Sequence, residues 1–372
     1  MKYSQHSEIS QNVKYNNKQL IPAPLEAALP KVKMQNKRFQ LSHQYSTCFT
    51  ICAIFAFSLL YSSNLSAAKP GNHIPKYTPP QKGFWETLYD LFIPHYEKRN
   101  VIYEKESEFL KITVEDDESG KRHLVFHPNK GSQGVIFPDN PDKIVPNFLK
   151  YAFLAFPLLK HSPENILFIG MGAGIMPKFI NHYYRKSQID IVEIDKAVPP
   201  IAEKYFAFKK DSNINIIIED GRFYVNRSRK KYDLIVIDAY NATSIPFQLT
   251  TKEFFTKVKA LLKRGGIVIA NIANLGNKNF IASEFKTVES LFPNIGVVIC
   301  PRETNYVLFA SDSITFENKR WIKKSEIFDK QQNWHFKLKP FLESQMTRQS
   351  LIKMTENQKI LTDDSAPVNS MD

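Results

Sequence analysis

Ile166-Leu-Phe-Ile-Gly170-Met-Gly172-Ala-Gly174 is an apolar run that ends in three alternately spaced glycines. About twenty residues further on, Ile189-Asp-Ile-Val-Glu193-Ile-Asp195 is a second strand-like run, tipped with carboxylates. The pair predicts a parallel strand, a glycine turn, a helix and a second parallel strand. A glycine turn lets the main chain approach a ligand closely, and an acid at the next strand end can hold both hydroxyls of a ribose. Glycines alone also end strands for structural reasons. The acidic strand end at this distance is what points to a nucleoside site.

Working outward, strands and helices alternate from residue 165 onward. The expected strands are 166–170, 189–194, 214–218, 232–238, 266–272, 295–300 and 305–310, with helices near 174–184, 197–206, 251–263 and 278–291. Only four residues, Pro301-Arg-Glu-Thr304, separate the last two strands, too few for a crossover helix, so these two form an antiparallel hairpin. The predicted fold is therefore α/β: a doubly wound, Rossmann-like sheet of the class I methyltransferase type with an antiparallel terminal hairpin, rather than a dehydrogenase sheet. Residues 101–140 read as a small antiparallel β domain before it. Ile112 and Val114 alternate with polar residues, Glu118-Ser-Gly120 makes a turn, and His123-Leu-Val-Phe126 returns. Residues 147–159 read as an apolar helix leading into the glycine strand. The nucleoside-binding domain is expected to span 141–314, followed over 315–372 by a helix near 325–353 and a polar end.

At 372 residues the chain has room for one large and one smaller domain, and its 43% hydrophobic content supports an ordinary core. The net charge is +13, of which residues 1–68 carry +5 from seven Lys/Arg against two acids. The remainder reads as spread, solvated lysines. No stretch mixes aromatics with dense Lys/Arg, which argues against a nucleic-acid partner. Three cysteines make no disulfide framework, and no Cys/His cluster has metal-ligand spacing, so no metal is expected.

Residues 1–46 are polar and aperiodic and read as a disordered leader. Within 47–68, the fourteen uncharged residues Cys48 to Tyr61 follow Lys31, Lys33, Lys37 and Arg38 and precede Asn64-Leu-Ser-Ala-Ala68. That order predicts a secretory signal peptide and export, with a membrane anchor as the alternative and Met34 as a second candidate start. Residues 69–100 read as a proline-rich linker and an amphipathic helix carrying Phe84, Trp85, Leu88, Leu91 and Phe92.

The parallel strands should bring four ends to one edge of the sheet, where ligands bind in such folds. They carry Gly170, Gly172 and Gly174; then Glu193, for the ribose; then Glu219-Asp220-Gly221, with Asp220 for an adenine amino group; then Asp238, Tyr240 and Asn241, at the reacting end. Asp220 before Gly221 is also a fair helix N-cap.

These residues carry a resemblance. The span 101–310 resembles the spermidine synthase (polyamine aminopropyltransferase) family and its bacterial spermidine synthase-like branch. The matching pieces are the glycine run, Val192-Glu-Ile-Asp195, Glu219-Asp-Gly221, Tyr232-Asp-Leu-Ile-Val-Ile-Asp238 and Leu249-Thr-Thr-Lys-Glu-Phe-Phe255, with Leu361-Thr-Asp-Asp-Ser-Ala-Pro-Val368 near the end. The resemblance implies an adenosyl sulfonium co-substrate, decarboxylated S-adenosylmethionine or S-adenosylmethionine, with no permanently bound cofactor. Gly170, Gly172, Gly174, Glu193, Asp220 and Gly221 would bind it, Asp238 and Asn241 would serve catalysis, a polyamine would accept the group, and a homodimer is among the assemblies implied.

The chain also departs from the family. Ala173 stands where the family's glycine turn has an aspartate, and Asn241 replaces a second aspartate. Tyr151 is offset from the family's Tyr-x-Glu-Met helix motif, and Leu124-Val-Phe-His127-Pro128 replaces Leu-Val-Leu-Asp-Gly. A polyamine is a polycation whose burial needs carboxylates, and a protonated amine needs a base before it can attack. Asn241 cannot be that base. Asp238 remains, and Asp363 and Asp364 either fold back over the site or belong to a polar C-terminal tail. Three readings follow: aminopropyl transfer, methyl transfer, and a non-catalytic binding protein on the same fold.

Overall fold

The computed structural model describes residues 99–127, 131–145, 147–239, 246–273, 277–300 and 305–365. The leader, the apolar run, the linker with its helix, and Tyr240 and Asn241 lie outside the described residues. All the elements below fall within one compact unit, Thr87–Asp372.

Four strands, β1 (Arg99–Glu106), β2 (Lys111–Asp117), β3 (Arg122–Phe126) and β4 (Ser132–Ile136), pair antiparallel in sequence order. One face of this sheet, with Ile112, Val114, Leu124, Phe126 and Ile136, joins the main core. The expected antiparallel sheet is present, within the same compact unit as the larger sheet.

The segment that follows is a short helix, α1 (Asn147–Ala152), which tightens into a 3₁₀ turn at Phe153–Leu158 rather than continuing to 159. Pro157 lies in that turn and has no N–H to extend an α-helical ladder. Then come β5 (Asn165–Ile169), α2 (Ile175–Tyr183), β6 (Gln188–Glu193), α3 (Val198–Tyr205), β7 (Ile214–Ile218), α4 (Gly221–Arg227) and β8 (Tyr232–Ile237). After them run α5 (Lys252–Leu261), β9 (Leu262–Ala273), α6 (Lys278–Glu289), β10 (Asn294–Cys300) and β11 (Asn305–Ser311). The sheet order is β10-β11-β9-β8-β5-β6-β7, with β11 antiparallel to both neighbours. The class I methyltransferase topology and its terminal hairpin are as expected.

Period-two alternation sorts the strand residues between two cores. Ile166, Phe168, Leu234, Val236, Ile267 and Ile269 face one, while Leu167, Ile169, Ile235, Ile237, Val268 and Ala270 face the other. Helices α2 and α3 cover the first face; α4, α5 and α6 cover the second. All six residues of β8 are buried, as a strand covered on both sides requires.

The helix expected near 325–353 is two helices, α7 (Asn318–Gln331) and α8 (Arg348–Thr355), separated by a 3₁₀ turn at Lys339–Ser344 with Pro340 in its first turn. The intervening chain sinks Trp334 among Phe153, Phe156, Phe179 and Phe328, so tertiary packing overrides local helix propensity there. On α7, Trp321 is fully buried, donates its indole N–H to the Leu154 carbonyl at 2.8 Å and stands edge-on to Phe309.

Candidate active site

The carboxyl ends of β5, β6, β7 and β8 end at or lead into Gly170, Glu193, Asp220 and Asp238, while Tyr240 and Asn241 lie outside the described residues. At Gly170 (φ +94°) a Cβ would collide with the Asp238 carbonyl, so the turn after β5 sits against the end of β8 with no room for a side chain. Main-chain bonds seal this junction: Gly170 N–H donates to Val192 O at 2.8 Å, and Asp238 N–H donates to Ile169 O at 2.9 Å. Gly172 and Gly174 are also left-handed, and Gly174 is the N-cap of α2. Gly221 approaches β5 so closely that a Cβ there would lie 2.5 Å from the Ile169 side chain.

Glu193 is buried at the tip of β6. Its Oε2 accepts from the Met171 N–H at 2.9 Å and its Oε1 from the Asp195 N–H at 3.0 Å. The carboxylate thus ties the glycine turn to the second strand, and each oxygen keeps acceptor capacity for a ligand. Burial pushes its pKa above the usual glutamate range, opposed by these main-chain donors. Asp195 caps the next turn through Ala197 N–H at 2.8 Å, while its buried Oδ2 has no hydrogen-bond partner among the described residues.

Asp220 is the N-cap of α4, a helix that the alternation of strands and helices did not reveal. Its Oδ1 accepts from Arg222 N–H at 2.7 Å and Phe223 N–H at 3.1 Å. Capping and ligand contact are compatible here, because Oδ2 makes no hydrogen bond among the described residues. Two exposed apolar residues stand next to the acids in the chain: Ile194 directly after Glu193 and Phe223 in the first turn after Asp220. Their exposure, which suits a flat heterocycle, is a tertiary property that the sequence does not display.

Asp238 is half-buried. Its Oδ1 accepts from Asn271 Nδ2 at 2.9 Å, and Asn271 Oδ1 in turn accepts from Asn305 Nδ2 at 2.9 Å. A relay of two amides from β9 and β11 therefore orients the Asp238 carboxylate at the end of β8. Burial raises the Asp238 pKa, and the Asn271 donor lowers it by a smaller amount. Neither asparagine stood out in the sequence, since β9 and β11 read there only as strands.

Ala173 is 2% exposed and packs against β4: a Cβ on Gly134 would collide with its methyl group. Asp363, which the sequence left open between folding back over the site and a polar C-terminal tail, returns to this edge, but not as a free carboxylate. It pairs with Arg222, accepts from Thr251 Oγ1 at 2.7 Å, and its N–H donates to Glu253 Oε2 at 3.0 Å. It is a clasp for the C-terminal segment, since Arg222 and Thr251 supply donors that solvent would otherwise have to satisfy. Asp364 is exposed. No group of three or more His, Cys, Asp or Glu among the described residues could hold a metal ion.

Residues 150–316 match the family model of the spermine/spermidine synthase domain. The chain is 30% identical over 280 residues to a polyamine aminopropyltransferase of Vibrio vulnificus, covering 72% of this chain and 90% of that one. It is 36% identical over 172 residues to an N-terminal histidine N-methyltransferase of Emericella nidulans, covering 42% of this chain and 30% of that one. Among solved structures, a probable spermidine synthase of Corynebacterium glutamicum superposes with a TM-score of 0.58 at 17% identity, covering 73% of this chain and 99% of that one.

Proposed function

Since this chain belongs to the spermidine synthase (polyamine aminopropyltransferase) family, we propose that its carboxyl edge binds an adenosyl sulfonium and transfers an aminopropyl group from it to an amine. The observation that carries this reading is Glu193, a buried carboxylate held by Met171 and Asp195 N–H groups with acceptor capacity left for the ribose 2′- and 3′-hydroxyls. Asp220 Oδ2 would accept from the adenine amino group, with Ile194 and Phe223 beside the ring. In the reaction the amine nitrogen attacks the carbon next to the sulfonium. The carbon–sulfur bond breaks, its electron pair stays on sulfur as methylthioadenosine, and Asp238 takes the proton the amine loses. Positioning by these residues supplies most of the rate. Purified protein given decarboxylated S-adenosylmethionine and putrescine should release methylthioadenosine. Release no faster than the protein-free control would overturn aminopropyl transfer.

A second reading, methyl transfer from S-adenosylmethionine, is favoured by Ala173. The family's aspartate at that position is absent, and with it the negative charge that would oppose a donor carboxylate. The Emericella nidulans relative is an N-terminal histidine N-methyltransferase, and an acceptor with one reacting nitrogen is one that a single carboxylate such as Asp238 can serve. Calorimetry decides between the two: tighter binding of S-adenosylmethionine than of its decarboxylated form favours methyl transfer.

A further inference from the structure

The edge of the sheet opposite the candidate active site is strongly basic, in a way that overall charge did not reveal. The connections that enter the parallel strands at their amino ends carry Lys160 before β5, Arg185 and Lys186 before β6, Arg229 and Lys231 before β8, and Arg264 at the start of β9. All six are exposed. Four acids at this edge are already ion-paired: Asp190 with Lys230 at 2.7 Å, Asp233 and Glu164 with Lys263 at 2.9 Å, and Asp312 with Lys259 at 2.8 Å; a fifth, Asp211 before β7, accepts from Asn181 Nδ2 at 2.5 Å and has no ion pair among the described residues. None of the six cations has a carboxylate within ion-pair distance among the described residues; Lys231 donates only to the Ala260 carbonyl. Crowding is visible at one end of the face, where Lys324 is held below the usual lysine range by burial and by Arg320 and Lys160 beside it.

We infer that this amino-edge face docks the domain on an anionic phospholipid surface, with the candidate active site on the opposite edge facing away from the lipid. The cations come from four separate connections at one end of a sheet, a spread that suits a planar array of phosphates. None of those connections places an exposed aromatic among its cations, as a single-strand nucleic-acid track would. The chain also carries fourteen uncharged residues, Cys48 to Tyr61, a run shorter than the about 20 residues that span a bilayer. A short apolar segment is a weak anchor alone, and a polybasic patch is the second signal that makes such attachment stable. This inference is independent of which group, if any, the active site transfers.

Sedimentation of the full chain with vesicles tests it. Binding to phosphatidylcholine vesicles measures what the apolar run contributes. Adding phosphatidylglycerol should strengthen partitioning by about tenfold or more, and 0.5 M salt, on the order of a 4 Å screening length, should erase the gain. The variant K160Q/R185Q/K186Q/R229Q/K231Q/R264Q should lose that gain and keep the phosphatidylcholine value, and the smaller set R229Q/K231Q/R264Q should lose part of it. Unchanged melting temperature and adenosyl-ligand affinity would show that both variants are folded. Equal partitioning on the two lipids, or a phosphatidylglycerol gain that survives the six substitutions, overturns the inference. So does tighter binding to duplex oligonucleotides than to vesicles at equal phosphate concentration.

Discussion

The methyl group of Ala173 packs against Gly134 so closely that no Cβ fits at residue 134. This contact joins the glycine turn to β4 of the small sheet, at the point where the family carries an aspartate. The lost carboxylate is thus more than a missing charge, because β4 occupies the space beside it.

Restoring the family residue should therefore fail. Ala173→Asp buries a carboxylate against Gly134 and is expected to cost more than about 2 kcal/mol of stability. Urea unfolding would show it as a lower midpoint. A stable variant that gains affinity for decarboxylated S-adenosylmethionine would mean that β4 yields easily and that the contact does not determine donor choice.

Glu193 is expected to dominate nucleoside affinity. Glu193→Ala removes the acceptor for two ribose hydroxyls and strands the Met171 and Asp195 N–H groups, so methylthioadenosine should bind at least about tenfold more weakly. Calorimetry on the variant checks this, and an unchanged Kd would remove Glu193 from the site.

Asp238 and Asn271 should separate binding from chemistry. Asp238→Asn should leave adenosyl-ligand affinity intact and lower kcat by about 10²- to 10⁴-fold, the range for loss of a general base. Asn271 donates to the ionised form of Asp238 and so favours it. Asn271→Ala should raise the Asp238 pKa and move the acidic limb of the pH–rate profile to higher pH. A profile that stays in place would mean that the relay does not tune the acid.

Glu284 offers a stability test remote from catalysis. It is buried on α6, its Oε2 has no hydrogen-bond partner among the described residues, and burial raises its pKa from 4.5 to about 8. A carboxyl whose folded pKa lies above its unfolded value binds more protons when folded, so its ionisation erodes stability as pH rises from about 4.5 to about 8. The loss is on the order of 3–5 kcal/mol across that window. Glu284→Gln should flatten the dependence and melt higher than the parent at pH 8. Parallel melting curves for the two proteins at every pH would contradict it.

Much of the fold was legible because each strand reports itself. Residues 166–169 of β5 and 234–237 of β8 are apolar without interruption, as strands covered on both faces require, and the four-residue gap before β11 excludes a crossover. The breaks at Pro157 and near Trp334 were not legible. The second depends on aromatic rings from distant parts of the chain meeting around Trp334, and the first was passed over because the apolar run through Pro157 reads as one continuous helix. Helix α4 was not among the expected helices, although Asp220 before Gly221 read as a fair N-cap as well as a ligand loop, and the structure shows that Asp220 caps it.

The candidate acids, the glycine turn and the family were legible in the sequence alone, because strand order brings these strand ends to one edge without any detailed packing. Their roles were not. Asp363 and Asp238 are both aspartates near that edge. Only the folded chain assigns one to Arg222 and Thr251 as a clasp and leaves the other on an amide relay from Asn271 and Asn305. Hydrogen-bond partners are chosen in three dimensions among residues far apart in sequence. The basic amino edge has the same origin, since its cations are dispersed along the chain and meet only when parallel strands align the connections that enter them.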